Sequence, residues 1–415
     1  MRNGAQEARR FYCHNMILEN VRVLDLTQYL SGPSATRMLS ELGAEVIKVE
    51  LGPNGDPSRL LPFVEGRTSS YYSQQNRGKN SICVDFSKEE GHDLVRSLAL
   101  ECDVIVENFG PGVLERKGLA WDDLHALDES LIMASISAFG KEGPLSHLQG
   151  FDLMGQALSG MMHLTGDADG PPQFTGSPIA DCAAGLVLFG AIGHALFHRE
   201  RTGLGQCIEV NLVDPVFHMH SIAVQGHSAT KGEWAQARSG RQFGIVVPSG
   251  TYKGPDGWIV IQVLERQWPR FCEAMNKAEL ATDSKFHTGN DRIENAAELI
   301  NIVERWVQSF ESDGAALQWL EEHRIPAAPV LSPVEAMKHP HFIEGGMVRN
   351  VDDPTFGPLA VTGLPVKFSQ SSRPDREPLP ESLGQSNRPV LERLLALSVA
   401  EIEELEKTGV VMSDE

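Results

Sequence analysis

The order of hydrophobic and polar positions predicts alternating strands and helices in the first third of the chain. Short apolar runs rich in β-branched residues predict buried strands, and apolar residues at helical spacing predict the helices between them. The predicted strands are 21–26, 45–49, 103–106 and 131–136, and the predicted helices are 33–42, 89–100 and 122–127. This alternation is typical of βαβ units, so we expect an α/β fold with a Rossmann-like parallel sheet.

The pattern changes near residue 220. Residues 226–257 are rich in glycine, serine and turn residues, and a strand at 258–263 and helices near 267–276 and 293–309 are predicted next. Prolines cluster from residue 326, and an amphipathic helix is predicted at 388–405. We therefore predict four segments, which are a disordered leader at 1–15, a large α/β domain at 16–224, a small α+β domain at 225–325 and a return segment at 326–415 that completes the large domain.

Composition and charge exclude several classes of protein. The chain has 415 residues, of which 41% are hydrophobic, and a formal net charge of −20. Such an acidic chain is unsuited to neutralising nucleic-acid phosphates or to docking on an anionic membrane. The longest uncharged apolar run, 183–197, is shorter than the roughly 20 residues that span a bilayer, so it predicts a buried helix. Six scattered cysteines without metal-ligand spacing favour a reducing compartment, and we expect a cytoplasmic protein without a metal site.

Familiar catalytic signatures do not occur in the sequence. The turn after the first predicted strand, 27–33, has one glycine where a dinucleotide fingerprint needs three. Walker A, HExxH and GxSxG motifs are also absent from the sequence. Polar groups suited to chemistry lie instead in three other segments, 106–116, 150–160 and 176–185.

Each of these segments has a structural interpretation beside a functional one. Residues 106–116 follow a strand at the sheet edge where α/β folds bind ligands, but Asn108 is equally suited to bonding its own turn. Asp152 precedes an apolar helical run and is suited to capping it. Asp181 heads the most apolar helix, where it either caps that helix or acts as a nucleophile held ionised by the helix N-terminus. Taken alone, the motif around Asp181 favours the cap.

Taken together, the motifs resemble one family. In order, the chain contains VENFGPGVLERKGL, ASISAFGKEGP, GFDLMGQALSGMMHLTG, GSPIADCAAGL and HRERTGLGQCIEVNLVD. This series is similar to the class III CoA-transferases, which include formyl-CoA transferase and carnitine CoA-transferase and are homologous to α-methylacyl-CoA racemase. The resemblance implies an interlocked homodimer that uses coenzyme A and acyl-CoA as co-substrates, with no metal and no nucleotide cofactor.

The resemblance also implies roles for individual residues. Asp181 is the implied nucleophile, and Asp152 is the implied loop carboxylate beside it. The implied contacts to CoA are Leu30, Ser31, Val84, Asp85, Phe86, Ser87, Asn108, Phe109, Gly110, Arg116, Gln149, Gly150 and Phe151. The implied reaction moves CoA from an acyl-CoA thioester to a free carboxylic acid through aspartyl anhydride and aspartyl-CoA thioester intermediates.

Departures from the family pattern bear on the reaction and the substrate. Phe151 stands where the racemases have an acid/base histidine, which favours transfer over racemisation. Arg238 and Arg241 lie where formyl-CoA transferases carry consecutive glycines. Two arginines are suited to binding a second carboxylate, so we expect a dicarboxylic acceptor, although solvated loop arginines are the alternative. An acyl-CoA racemase or epimerase on the same scaffold, and a CoA-binding protein without turnover, remain open.

Overall fold

The computed structural model describes residues 16–370 and 378–414, so the predicted leader at 1–15 lies outside the described residues. The strands in chain order are β1 (Arg22–Asp25), β2 (Glu45–Leu51), β3 (Val64–Glu65), β4 (Thr68–Ser69), β5 (Lys79–Val84), β6 (Val104–Glu107), β7 (Ile132–Ser137), β8 (Cys207–Asn211), β9 (Ser249–Lys253), β10 (Trp258–Gln262), β11 (Ala327–Pro329), β12 (Val348–Asp353) and β13 (Gly357–Thr362). The α-helices are α1 (Ser31–Glu41), α2 (Ser70–Asn76), α3 (Glu89–Leu100), α4 (Trp121–His125), α5 (Asp152–Leu158), α6 (Met161–Leu164), α7 (Ile179–Thr202), α8 (Asp214–His218), α9 (Ala223–Ala229), α10 (Trp268–Ala274), α11 (Gly289–Glu294), α12 (Ala296–Val307), α13 (Asp313–Glu322), α14 (Pro333–Lys338), α15 (Pro340–Glu344), α16 (Asn387–Leu395) and α17 (Val399–Lys407).

These elements form two compact units. Among the described residues, the larger unit comprises those up to Ser159, Ser177–Met219 and those from Pro340 onward, and the smaller comprises Gly160–Gly176 and His220–His339. The smaller unit contains the antiparallel sheet β11-β10-β9. Its core packs side chains of the sheet and of the helices that follow, including Ile259, Phe271 and Leu299.

The larger unit is built on a six-stranded sheet in the order β5-β2-β1-β6-β7-β8, and all of its strand pairs are parallel. The predicted Rossmann-like α/β fold is therefore confirmed. The chain extends the sheet from β1 through β2 to β5 on one side, and then through β6, β7 and β8 on the other. The strand order consequently reverses between β1 and β6, and the crevice at the carboxyl ends of these two strands is where such sheets bind ligands.

Buried charges lie within the otherwise apolar strands. In β2, Val46, Ile47 and Val49 are buried as the pattern predicts, but Lys48 and Glu50 are buried with them. Lys48 Nζ lies 2.8 Å from Asp56 Oδ2, and Glu50 Oε1 lies 2.6 Å from the Arg59 guanidinium. Because a buried charge is tolerated only with a partner, these ion pairs permit a strand with charged residues to lie between two other strands of the sheet.

The same network reaches β1 and β5. Asp25 Oδ2 lies 2.9 Å from Lys79 Nζ, and both side chains are buried. Burial alone would raise the pKa of Asp25, but Lys79 and Lys48 beside it hold that pKa well below its usual range. Burial lowers the pKa of Lys79 to about 8, despite the opposing effect of Asp25. The carboxylate of Asp25 therefore remains ionised in the interior of the larger unit.

Helix α7 is longer and less buried than the sequence predicts. It has 24 residues, and its length and hydropathy alone would suffice to cross a membrane. One face, which includes Ala184, Leu188 and Ile192, is buried, whereas Leu186 and Phe197 on the rest of the helix are exposed. The prediction of a buried helix is therefore correct for one face only.

Other differences from the predicted elements have local causes. The predicted helix at 388–405 is instead two helices, α16 and α17, because Ala396 adopts a left-handed φ of 54° and Ser398 begins a new helix with a capping box to Glu401. Strands β5 and β8 are not evident from hydrophobic periodicity. Lys79 starts β5, where its charge is buried against Asp25, so the strand lacks the apolar run that would reveal it.

Candidate active site

The crevice between β1 and β6 contains a pocket of about 190 Å³. The turn after β1 and the loop after β6 meet there, because Asn108 Oδ1 accepts the backbone N–H of Gln28 at 2.8 Å and Asn108 Nδ2 donates to the Gln28 carbonyl at 2.8 Å. The residues that line the pocket are Gln28, Tyr29, Ser31, Asn108, Phe109, Gly110, Pro111, Ile136, Ser137, Ala138, Phe139, Gly140, Ser146, Leu148, Gln149, Gly150, Phe151, Asp181 and Leu212.

Asp181 does not cap its own helix, because Asp152 does so in its place. Asp181 is the third residue of α7, and Asp152 Oδ1 accepts the backbone N–H groups of Ala180 at 2.7 Å and Asp181 at 3.2 Å. The other carboxylate oxygen of Asp152 accepts from Gln156 Nε2 at 2.6 Å. A Cβ at Gly155 would lie 2.7 Å from the Cβ of Ala180, so glycine at this position permits α5 to approach α7 closely enough for this contact. The cap interpretation that the motif favoured for Asp181 is therefore wrong.

The carboxylate of Asp181 consequently lies on the pocket wall in an unusual electrostatic setting. Burial, together with the nearby negative charge of Asp152, raises the pKa of Asp181 to about 6, although a hydrogen bond with Ser31 opposes this rise. Burial and the charge of Asp181 also raise the pKa of the Tyr71 hydroxyl. The pocket thus holds a poorly solvated carboxylate whose protonation changes in the physiological range.

The pocket brings together many of the residues that the sequence singled out. Eight of them line it, namely Ser31, Asn108, Phe109, Gly110, Gln149, Gly150, Phe151 and Asp181. The side chains of Leu30 and Val84 are buried, and Arg116 is exposed outside the lining. Phe86 stacks on Phe109 with ring centroids 6.4 Å apart, which links the 84–87 segment at the end of β5 to the pocket wall. The carboxyl ends of β5 and β6 therefore contribute to one continuous surface.

Arg238 and Arg241 lie in the smaller unit and already have partners there. Arg241 binds both carboxylate oxygens of Glu304, at 2.6 and 3.0 Å. Arg238 donates one guanidinium N–H to the carbonyl of His163 at 3.1 Å. Since the fork of Arg241 is filled by Glu304, Arg238 is the better candidate of the two for a substrate carboxylate.

Comparison with known proteins gives the family. The family model of CoA-transferase family III matches residues 18–387. The chain belongs to this family. The CoA-transferase is 36% identical over 404 residues to the human succinyl-CoA:glutarate CoA-transferase, with 95% of this chain and 90% of the human protein covered.

Two further comparisons agree with the family assignment. The CoA-transferase is 34% identical over 400 residues to the succinyl-CoA–D-citramalate CoA-transferase of Chloroflexus aurantiacus, which covers 95% of this chain and 98% of that protein. Among solved structures, a CaiB/BaiF family protein from Brucella suis superposes with a TM-score of 0.80 at 32% identity, covering 92% of this chain and 100% of that one. The protein is therefore an enzyme of the class III CoA-transferase type that uses acyl-CoA thioesters.

The structure also adds residues to the CoA-transferase site that the motifs did not reveal. Gln28 and Tyr29 line the pocket from the turn after β1. The sequence feature that could have identified them is their position directly after a predicted strand, where such sheets bind ligands. Tyr71, in α2, lies near enough for the charge of Asp181 to raise the pKa of its hydroxyl, and the linear sequence carries no signal for this proximity. No group of three or more His, Cys, Asp or Glu side chains suited to a metal ion occurs among residues 16–370 and 378–414.

Proposed function

We propose that this enzyme moves CoA between carboxylic acids with Asp181 as its nucleophile. One observation carries the proposal, namely that Asp152 caps α7 and so leaves the carboxylate of Asp181 directed at the pocket between β1 and β6. Among the described residues that line this pocket, the side chains that can ionise are the carboxylate of Asp181 and the phenol of Tyr29. A nucleophilic carboxylate needs this combination of access to substrate and limited access of water.

The proposed reaction exchanges bonds without net consumption of protons. A carboxylate oxygen of Asp181 attacks the thioester carbonyl, the C–S bond breaks, and CoA thiolate leaves behind a mixed anhydride. The thiolate then attacks the aspartyl carbonyl, which releases the donor acid and forms an aspartyl-CoA thioester. The acceptor carboxylate attacks that thioester, and the returning thiolate cleaves the second anhydride to give the new acyl-CoA and free Asp181. Because the thioester energy is conserved, the chemistry requires no ATP.

We further propose dicarboxylic acids as substrates. The names of both relatives above specify succinyl-CoA with glutarate or citramalate, which are dicarboxylates. A second carboxylate on the substrate is bound best by a guanidinium, which donates two parallel hydrogen bonds to it. Arg238 of the smaller unit is our candidate for this contact, because Glu304 already occupies the guanidinium of Arg241.

The pocket gives little support to racemisation. An α-proton transfer in both directions needs acid and base groups at the reacting carbon, and histidine is the residue best suited to this. Phe151 occupies the pocket wall where the racemases carry histidine, and the exposed side chain of His147 does not line the pocket. Transfer is therefore the reaction that these residues favour.

A homodimer and a cytoplasmic location are further proposals. The exposed apolar side chains of α7, such as Leu186, Val187 and Phe197, support association with a second copy. A solution mass of a single 45.5 kDa chain, measured by light scattering, would contradict the dimer.

The proposal of a cytoplasmic location is supported by the cysteines. Five of them form no disulfide, as expected in a reducing compartment, namely Cys83, Cys102, Cys182, Cys207 and Cys272.

The pH dependence of transfer provides one test of the role of Asp181. Attack requires the ionised carboxylate, and the pKa of Asp181 is raised to about 6. We expect kcat/KM for acyl-CoA to rise with pH through about 6 and to level off above it. Removing the charge of Asp152 with Asp152→Asn removes one cause of the raised pKa, so the profile of this variant should move toward lower pH. An inflection near 6 that stays unchanged in this variant would contradict the proposed electrostatic coupling.

The reaction itself is tested by incubation in D₂O with acyl-CoA donors and free acids, read by mass spectrometry. The panel pairs succinyl-CoA with acids of matched carbon number, namely glutarate against valerate and adipate against hexanoate. We expect new CoA esters of the dicarboxylates without deuterium at the α-carbon. Transfer to the matched monocarboxylates at comparable kcat/KM would contradict the proposed dicarboxylate preference.

The same incubation separates the two reaction classes. A 2-methylacyl-CoA donor is therefore included. Deuterium at its α-carbon, without new CoA esters, would contradict CoA transfer and indicate racemisation. Arg238→Ala serves as the matched variant, since we expect it to raise KM for glutarate more than KM for valerate. Equal changes for the two acids would show that Arg238 does not bind the second carboxylate.

A further inference from the structure

Tyr29 has a backbone conformation that is rare for a bulky side chain. Its φ is 66°, in the left-handed region where a Cβ is penalised. The residue lies in the turn after β1 and lines the same pocket as Asp181, with 38% of its side chain exposed. Strained backbone persists where neighbouring groups enforce it, and it concentrates at functional sites. The strained backbone of Tyr29 therefore indicates a functional role for this residue in the pocket.

Side chains from several elements hold this turn in place. The backbone N–H of Tyr29 donates to Asp56 Oδ1 at 3.2 Å, and the carbonyl of Thr27 accepts from Lys48 Nζ. Asn108 bonds both the N–H and the carbonyl of Gln28 at 2.8 Å. Because each residue of the turn is bonded by a side chain from outside it, the strained conformation is enforced.

The enforced conformation directs the Tyr29 ring at a second aromatic side chain. The rings of Tyr29 and Phe151 meet edge to face, with centroids 6.2 Å apart and planes at 81°. Phe151 is 64% exposed, and it directly precedes Asp152, which is hydrogen-bonded to the backbone N–H of Asp181. Two aromatic rings from separate loops thus meet at the pocket wall that holds the proposed nucleophile. Edge-to-face pairs of this kind are stabilising beyond the apolar area that they bury.

We propose that Tyr29, through its contact with Phe151, is the residue that keeps water away from the intermediates on Asp181 and so sets the ratio of CoA transfer to acyl-CoA hydrolysis. This inference rests on the proposed function of Asp181. In the competing reaction, a water oxygen attacks the aspartyl carbonyl of the thioester, the C–S bond breaks, and CoA leaves as the thiol with a proton from water. Asp181 is regenerated, and the net reaction is acyl-CoA plus water to acid plus free thiol.

The test is Tyr29→Gly, which preserves the backbone and removes the ring. Glycine adopts a φ of 66° without a Cβ penalty, which offsets the lost ring contact, so we expect the variant to fold with a Tm close to that of the wild type. With succinyl-CoA and glutarate as probes, we expect the ratio of free thiol released to glutaryl-CoA formed to rise at least about fivefold, because water reaches the intermediates. Tyr29→Phe keeps the ring and should retain the wild-type ratio.

Phe63→Gly is the matched control, since Phe63 is also an exposed aromatic residue with a left-handed φ of 65°, but it does not line the pocket. We expect this variant to have the wild-type ratio. An unchanged ratio in Tyr29→Gly, with transfer intact, would overturn the role of Tyr29 and leave the function of Asp181 standing. Transfer that persists without the carboxylate of Asp181 would instead overturn the proposed function, and this inference with it.

Discussion

Asp181→Ala is expected to lower kcat for CoA transfer by about 10³-fold or more, because the variant lacks the carboxylate on which every proposed intermediate forms. Binding of acyl-CoA should change little, since most of the pocket wall consists of other residues. Mass spectrometry of the protein after incubation with succinyl-CoA supplies a second readout. The wild type should carry CoA as a covalent adduct, and the variant should not.

The same substitution should also stabilise the fold at neutral pH. The pKa of Asp181 is raised to about 6 in the folded protein, above the value near 4 of an unfolded chain. Between these values the folded state binds more protons than the unfolded state, so the wild type loses stability as pH rises through this window. We therefore expect Asp181→Ala to gain about 1–3 kcal/mol relative to the wild type at pH 7, measured by urea unfolding.

Asp123→Ala is the control for both effects of this prediction. Asp123 is likewise in the first turn of a helix, α4, but it is exposed and does not line the pocket. Its removal should leave kcat unchanged and should not stabilise the protein. If Asp181→Ala retains transfer while Asp152→Ala loses it, the nucleophile has been assigned to the wrong carboxylate.

Hydrophobic periodicity was sufficient to predict the centre of the fold. Strands β1, β2, β6 and β7 and helix α3 lie where apolar runs of the right length predict them, because their buried faces carry Val, Ile and Leu. The rest of the sheet depends on contacts that are remote in sequence. Lys79 is the first residue of β5, and its buried charge is paired with Asp25. No local sequence pattern predicts an ion pair between residues so far apart in the chain.

In the site, too, the local sequence predicts which residues are important but not the contacts between residues that are far apart in the chain. The motifs identify Asp152 and Asp181 as acids at helix starts, and local reasoning makes each of them the cap of its own helix. In the structure, Asp152 caps the helix of Asp181, a contact that depends on how closely α5 packs on α7. Tyr29 is a second example, because its left-handed backbone results from bonds to Asp56 and from a turn held by Lys48.

Lys48→Met tests whether the buried ion network maintains both the fold and the site. Lys48 is fully buried, its Nζ lies 2.8 Å from Asp56, and it also donates to the carbonyl of Thr27. Removing one partner of a buried pair leaves an uncompensated charge, which costs about 3–5 kcal/mol. We expect a loss of this size in the free energy of unfolding at pH 7, together with an increased ratio of hydrolysis to transfer, because the turn that carries Tyr29 is released.

The pH dependence of this loss identifies its cause. In the wild type, burial opposes ionisation of Asp56, but the charge of Lys48 outweighs burial and lowers the pKa of Asp56. The ion pair therefore stabilises the fold at any pH above the pKa of Asp56 in the unfolded chain. This stabilisation is lost as pH falls through the lower pKa of Asp56 in the folded protein. In the variant, Asp56 lacks its cation and is protonated at higher pH, so the deficit should be largest at pH 7 and shrink toward acid. Lys407→Met breaks an exposed pair with Glu404 and should cost less than about 1 kcal/mol at either pH. A deficit in Lys48→Met that does not vary with pH would indicate lost packing of the lysine stem and not an unpaired charge.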